Sequence, residues 1–153
     1  MLRISKLTDY GTVVLASLVD RTDEVSSAAE IASRTGVAPP TVSKLLKLLA
    51  KAELVSSTRG ANGGYRLTRA PEDISAADIV DALEGPVSIT ECSASDSHCA
   101  YEENCDTGDA WQRINQAIRD ALDDVSLKDL AKGTCTAPKM HFGGTPITVE
   151  RTN

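Results

Sequence analysis

Apolar residues recur at helical spacing at the start of the chain. Over residues 5–19, steps of three and four residues predict an amphipathic helix whose apolar face holds Leu7, Tyr10, Val14 and Leu18. A shorter helix should follow, because Ser27 and Glu30 have the spacing of a capping box and Gly36 provides a helix stop.

A third helix and a hairpin are predicted after this stop. Pro39 and Pro40 suit a first helical turn, and the apolar stripe that follows consists of Val42, Leu45, Leu46 and Leu49. A short helix, a glycine turn and a second helix make a helix-turn-helix. Two short β-like runs around the glycine-rich residues 60–64 then predict the wing of a winged helix.

The second half of the chain divides into four segments. They are a connector with a short helix capped by Ser75, a loop with few core-forming residues, a long helix with a short helix after it that starts at Ser126, and a tail without periodicity that is predicted to be disordered. The winged helix spans residues 1–70 and the connector residues 71–89. The loop spans residues 90–108, the long helix with its following short helix residues 109–132, and the tail residues 133–153. The predicted fold class is mainly α with a small β-wing, a winged helix-turn-helix plus a long C-terminal helix.

One face of the long helix lacks a partner within so small a domain. Its apolar stripe, again with steps of three and four residues, consists of Trp111, Ile114, Ile118, Leu122 and Val125. Such a stripe predicts a dimerisation helix and therefore a homodimer. The alternative is that the stripe packs on the winged helix of its own chain.

Charge changes this picture, because its distribution is uneven. The net charge of the 153 residues is −6, yet residues 34–69 hold seven basic residues and one acidic residue, whereas residues 71–112 hold eleven acidic residues and no Lys or Arg. A locally basic surface favours a nucleic-acid partner, with a solvated basic face as the alternative. No apolar run is long enough to cross a bilayer and no secretory signal is present, so we expect no membrane association and a cytoplasmic location.

The basic segment contains the candidate contacts to double-stranded operator DNA. The second helix of a helix-turn-helix enters the major groove with its first residues nearest the bases. The residues in this first turn that can reach base edges are Thr41, Ser43 and Lys44. The residues further along that would meet phosphates are Lys47 and Lys51. The wing adds Arg59, which can enter a minor groove, and Tyr65 as a further candidate.

Three of the four cysteines lie close together in the acidic loop. Cys92, Cys99 and Cys105 are spaced C-x6-C-x5-C, which is looser than the usual cysteine pairs of a zinc site and suits a loop around an iron–sulfur cluster. The alternatives are zinc binding, thiol redox chemistry and cysteines that bind no ligand. Because a cluster normally takes four ligands, one is missing. The candidates are a carboxylate, a residue of another subunit, His98 and Cys135.

Three stretches carry a family resemblance: MLRISKLTDYG, LVSSTRGANGGYRLTRAPEDISAADIVDALEG, and the three-cysteine loop that runs into Trp111. They resemble the IscR/NsrR-type winged-helix regulators, the Rrf2 family, over residues 1–132. The resemblance implies a homodimer with crossing long helices and a cluster on Cys92, Cys99 and Cys105. The opening is most similar to the branch that regulates the SUF iron–sulfur assembly genes. A 2Fe-2S cluster is favoured, with 4Fe-4S as the alternative.

The resemblance also implies a fourth ligand. The IscR type has a histidine three residues after the third cysteine, where this chain has Gly108. The NsrR type instead uses an aspartate in a K-x-T-D motif of the partner subunit's first helix, and residues 6–9 here read KLTD. Asp9 is therefore the predicted fourth ligand, with His98 in reserve. The alternative role of Asp9 is that of a first-turn carboxylate favoured by the helix dipole.

The sequence thus predicts a homodimeric transcription regulator, with repression favoured, that senses iron–sulfur status through its own cluster and controls SUF genes. One alternative is a nitric-oxide or redox sensor on the same scaffold. A second is an electron-transfer or cluster-carrier protein with an incidental winged helix. No nucleophile–base pair or phosphate-binding loop is present in the sequence, so we do not expect an enzyme.

Overall fold

The computed structural model describes residues 4–60, 63–90 and 107–132, and the backbone of residues 141–142 and 145–146. The helices are α1 (Lys6–Ala16), α2 (Ala28–Thr35), α3 (Pro39–Lys51), α4 (Ala76–Glu84), α5 (Gly108–Asp123) and α6 (Leu127–Lys132). Two antiparallel pairs of strands are β1 (Val55–Thr58) with β2 (Gly64–Leu67), and β3 (His141–Phe142) with β4 (Thr145–Pro146). Among these helices, none is long and apolar enough to span a membrane. The predicted fold class, mainly α with a small β-wing, is confirmed.

The ends of the helices follow from local sequence. The predicted capping box of α2 is present: the Glu30 amide donates to Oγ of Ser27, and the Ser27 amide donates to the Glu30 carboxylate over 2.7 Å. The bond from the Ser27 backbone, followed by that from its hydroxyl, lowers the pKa of Glu30. Gly36 ends α2 at a φ of 71°, which glycine adopts without strain. The predicted capping serines of α4 and α6, Ser75 and Ser126, are also in place.

Aliphatic side chains from both halves of the chain form one core. The predicted stripe of α3 is fully buried and consists of Val42, Leu45, Leu46 and Leu49. The other large side chains with almost no exposure include Leu15, Leu18, Ile31, Leu54, Ile74, Ile79 and Leu127. Because this set continues into α4 and α6, the connector helix and the last helix belong to the same packed body as the helix-turn-helix.

Helix α1 buries the predicted face only in part, with Val14 buried and Leu7 packed against the core. It ends at Ala16, because the chain then forms a 3₁₀ turn at Val19–Arg21, and Leu18 is buried from outside the helix. Tyr10 was predicted on the apolar face but is 39% exposed. Gly11 takes the buried position, where it packs against Leu83 of α4 so closely that a Cβ atom would overlap it. The buried residues of α1 are Thr8, Gly11, Val14 and Leu15.

Strand β2 also pairs with the residue before the α2 cap. Tyr65 and Ser26 exchange two backbone hydrogen bonds of 3.0 and 2.8 Å. Gly64 lies against the same segment, since a Cβ atom there would be 2.5 Å from the Ser26 carbonyl oxygen and 2.9 Å from the Ser27 nitrogen. These are backbone atoms of a capped helix start, which cannot rotate away as the end of a side chain can. The position of the wing therefore depends on glycine at residue 64.

We expect Gly64→Ala to lower the free energy of unfolding by about 1–3 kcal/mol, because the added methyl group overlaps fixed backbone atoms. Urea unfolding followed by circular dichroism measures this change. Gly108→Ala is the matched control, because among the described residues a Cβ atom there meets nothing within 4 Å. Its expected change is within about 0.5 kcal/mol. Equal stability of the two variants would contradict the tight contact at Gly64.

Helix α5 runs antiparallel to α4. Near its N-terminal half, Nδ2 of Asn115 donates to the carbonyl oxygen of Val87, just after α4 ends, over 3.0 Å. At its C-terminal end, the hydroxyl of Ser75, the cap of α4, donates to Asp123 over 3.0 Å. The first residues of α5 and the last residues of α4 therefore lie at the same end of the molecule.

Within the predicted tail, residues 133–153, the structure describes only β3 and β4. The other residues of the tail lie outside the described part of the chain, so its predicted disorder stays a prediction.

Candidate nucleic-acid interface and cluster-ligand positions

Helix α3 presents three lysines to solvent. Its apolar stripe is buried, whereas Lys44, Lys47 and Lys51 are exposed. Steps of three and four residues place these lysines on one face of the helix. Among the described residues, no carboxylate lies within ion-pair distance of any of them. The face opposite the core is therefore an uncompensated cationic surface, which suits a polyanion.

The start of α3 offers side chains rather than free amides to a ligand. Pro39 and Pro40 have no N–H group, and the Thr41 amide donates to the carbonyl oxygen of Ala38 over 2.9 Å. The missing donors explain why α3 needs no side-chain cap. Contacts from this end of the helix must therefore be made by side chains.

The first turn of α3 holds fewer of the predicted base contacts than the sequence suggested. Because α3 starts at Pro39, Thr41 lies in the first turn, but Ser43 and Lys44 lie in the second. Thr41 and Ser43 are half-buried and Lys44 is exposed. The assignment of all three to the first turn was wrong, because a first turn that begins at Pro39 already ends at Val42.

The wing adds two exposed arginines. Arg59 directly follows β1, beside Gly60 with a φ of 122°, and Arg66 lies on β2 opposite Ser56. Neither forms an ion pair with the described residues. Arg66 was not among the predicted contacts, although its place between an aromatic and a leucine in a strand signals a solvent-facing position. The ring of Tyr65 is half-buried and packs against the core.

Asp9 is exposed in the first turn of α1, and its carboxylate has no hydrogen-bond or ion-pair partner in the described part of the chain. Other groups complete this helix start. Oγ of Ser5 accepts from the amides of Leu7 and Thr8, and Glu84 of α4 accepts from the Ser5 amide over 3.0 Å. The cap of α1 thus does not use Asp9, which leaves this carboxylate available to a ligand.

The predicted cysteine ligands Cys92, Cys99 and Cys105, together with His98 and Cys135, lie outside the described residues. Within the described ranges, no group of three or more His, Cys, Asp and Glu side chains is placed to hold a metal ion. The structure does describe both ends of the cysteine segment (residues 91–106), because α4 ends before it and α5 begins just after it.

The apolar stripe of α5 is covered over only part of its length. Trp111 and Ile114 are 40% and 46% exposed. Ile118 and Leu122 are half-buried and line a cleft of about 470 Å³ together with Ile4. Part of the stripe thus packs on its own chain, and its N-terminal part stays open in a single protomer.

Val125 does not belong to this helical stripe. Helix α5 ends at Asp123, and the carbonyl oxygen of Val125 accepts a 2.8 Å hydrogen bond from the amide of Ala76 in the turn before α6. Val125 follows Leu122 by three residues and so fits the spacing of the stripe, although the helix has already ended. This spacing is the reason for its predicted place in the stripe.

Residues 4–133 match the Rrf2 family, described as an iron-dependent transcriptional regulator. The chain belongs to the Rrf2 family. It is therefore a DNA-binding transcriptional regulator of a class whose members are not enzymes, which confirms the predicted family.

Relatives cover almost the whole chain. Protein rrf2 of Nitratidesulfovibrio vulgaris (strain Hildenborough) is 31% identical over 139 residues, which are 90% of this chain and 93% of that protein. The solved structure of CymR, described as the global cysteine regulator of B. subtilis, has a TM-score of 0.67 at 35% identity and covers 88% of this chain and 100% of that one. T. potens IscR has a TM-score of 0.64 at 31% identity and covers 87% and 88%.

Proposed function

We propose that this Rrf2-family regulator is a homodimeric repressor that senses iron–sulfur status through a bound iron–sulfur cluster, with SUF assembly genes among its targets. The observation that carries the proposal is the spacing of Cys92, Cys99 and Cys105 between α4 and α5, in a family described as iron-dependent. A cytoplasmic location, where a regulator would meet its operator DNA, is part of the proposal.

The donor set fits such a cluster. Three thiolates come from one short segment, and thiolates are the usual ligands of iron–sulfur clusters. Asp9 adds an exposed carboxylate that the cap of α1 does not use. Cys92, Cys99 and Cys105 would hold the cluster, with Asp9 of the other protomer as the fourth ligand and His98 in reserve. When bound, the cluster supplies a centre whose oxidation or ligation state can change.

Helix α1 offers a direct route from this ligand to DNA. It packs on α3, α4 and α6, so it belongs to the same body as the lysine-bearing helix. A ligand on α1 that reaches across the dimer would fix the spacing of the two winged helices. Release of that ligand would change this spacing and thereby the affinity for the operator.

Anaerobic purification with iron and sulfide analysis, an absorption spectrum and an operator-binding assay tests the proposal. We expect iron and acid-labile sulfide in the purified protein, and an operator affinity that changes when the cluster is removed. A protein that is colourless after anaerobic purification and still binds the operator would contradict the proposal. It would be a regulator that works without a cluster. Titration with nitric oxide tests the alternative function, that of a nitric-oxide sensor. The absorption spectrum of such a sensor should change at low concentrations of the gas.

We expect Ile114→Glu to produce a monomer, because it places an unpaired charge within the part of the α5 stripe that its own chain leaves open. Sedimentation measures the mass, and circular dichroism should show that the helical content is largely kept. Operator binding should be lost. Arg113→Glu is the matched control, since Arg113 is exposed on the same helix but lies outside the stripe. A dimeric Ile114→Glu protein would place the interface elsewhere.

A further inference from the structure

One carboxylate ties the first turn of α1 to the end of α4. Oε1 of Glu84 accepts a hydrogen bond from the Ser5 amide over 3.0 Å and another from the hydroxyl of Thr8. Thr8 is only 3% exposed, so Glu84 gives this buried hydroxyl the partner that it needs. The bond from Thr8, followed by those from Ser5, lowers the pKa of Glu84, which favours the ionised acceptor.

The joint between α1 and α4, formed by Ser5, Thr8 and Glu84, is closely packed on its inner side. A Cβ atom added at Gly11 of α1 would overlap the side chain of Leu83, the residue before Glu84 in the chain. The Cδ2 atom of Leu45 in α3 would be 3.5 Å from the same Cβ position. Helices α1, α3 and α4 therefore meet here, and the first turn of α1 cannot shift against the DNA-binding helix without disturbing its bonds to Glu84.

The turn that carries Asp9 and the start of the cysteine segment both lie at this joint, although in the proposed dimer they serve two different clusters. Thr8 is buried and the next residue, Asp9, is exposed, so one turn of α1 both anchors the helix and presents the unpartnered carboxylate. On the other side, Glu84 is the last residue of α4, and Gly85 and Pro86 follow on the way to the cysteine segment. A single side chain thus connects the helix that leads to this protomer's thiolates with the turn that carries the fourth ligand of the other protomer's cluster.

We propose that Glu84 is a positioning residue for the cluster: it holds the first turn of α1 so that Asp9 can act as a ligand, and it fixes that turn to α4, which packs on α3. This inference rests on the proposed function, because it requires a cluster to which Asp9 is bound. Groups that orient metal ligands are often as important as the ligands, and their loss typically weakens metal binding by about 10–100-fold.

Glu84→Ala removes the acceptor and leaves Asp9 unchanged. We expect the absorption spectrum of the cluster to change as it does in Asp9→Ala, and cluster decay in air to become roughly tenfold faster. The double variant should decay no faster than Asp9→Ala, because both substitutions act through one ligand. Glu84→Gln keeps an oxygen acceptor for Ser5 and Thr8 and should restore the spectrum.

Glu72→Ala is the matched control. Glu72 is also an exposed carboxylate with a lowered pKa, caused first by its hydrogen bond from Lys128, and that lysine belongs to α6. Its removal should leave the cluster unchanged. Amide hydrogen exchange gives a readout without iron: in protein freed of its cluster, the Ser5 amide should exchange faster in Glu84→Ala and not in Glu72→Ala.

The outcomes separate this inference from the proposed function. If the wild-type protein binds no cluster, both are wrong. If it binds one that Asp9→Ala alters and Glu84→Ala does not, the proposed function stands and the positioning role is wrong. Thr8→Val, which removes the hydroxyl with little change in volume, repeats the test from the other partner should Glu84→Ala fail to fold. A wild-type spectrum and decay rate in Thr8→Val would then overturn the inference.

Discussion

Replacement of Lys44, Lys47 and Lys51 by alanine is expected to abolish operator binding at physiological salt. The three lysines are exposed on one face of α3 and have no carboxylate partner in the described structure, so their full charge is available to phosphates. Each phosphate contact contributes about 0.9 to the slope of the logarithm of affinity against the logarithm of salt concentration. The slope should therefore flatten by about that amount for each lysine that contacts a phosphate.

Fluorescence anisotropy with an operator fragment and with unrelated DNA, at several salt concentrations, measures these effects. Lys47→Ala alone should weaken both DNAs alike and flatten the slope by about one unit. Arg59→Ala should also cost selectivity, by about 1–3 kcal/mol. Arg21→Ala is the control, because Arg21 is an exposed cation already paired with Glu24 at 2.8 Å. An affinity that none of the α3 substitutions changes would place the DNA elsewhere.

The ends of α2 and the starts of α3 and α4 could be predicted because their signals are local. The capping box of Ser27 and Glu30 and the glycine stop at Gly36 act within one turn of the chain. Two prolines at Pro39 and Pro40 fixed where α3 begins. Such signals depend on neighbours in sequence, so the tertiary structure does not override them.

The face that a helix buries was harder to predict, because it depends on contacts between distant elements. Tyr10 fits the apolar spacing of α1, yet Gly11 is buried, since only a residue without a side chain allows α1 to approach Leu83. The role of Glu84 joins residues that are 76 positions apart in the chain, which no periodicity records. Arg66 is a different case, because its solvent-facing position on β2 follows from the alternation of a strand, a local signal that the sequence does carry.

The candidate site was predicted unevenly. Family membership and the DNA-binding function are confirmed, since long motifs of the winged helix carried that resemblance. The cluster ligands stay predictions, because the cysteines lie outside the described residues. Four residues of sequence, KLTD, suggested Asp9. The structure adds that its carboxylate is exposed and that the cap of α1 is complete without it.

We expect Cys92→Ala, Cys99→Ala and Cys105→Ala each to abolish cluster binding, because each removes one of three thiolates that come from a single segment. Iron and sulfide analysis after anaerobic purification, together with the visible spectrum, measures the loss. Cys135→Ala is the matched control: it removes a thiol of the same kind that lies outside residues 4–133, which match the family. It should retain the full iron content.

Asp9→Ala should give a different result from the cysteine variants. A carboxylate is a harder and weaker ligand for such iron than a thiolate, so its loss should leave a cluster that is bound but altered in spectrum and quicker to decay. His98→Ala should be nearly silent. If His98→Ala changes the spectrum and Asp9→Ala does not, the fourth ligand comes from the cysteine segment itself. The cluster would then have no bond to α1, and its state would have to reach the DNA-binding helix through α5 and α4, which contact each other along the molecule.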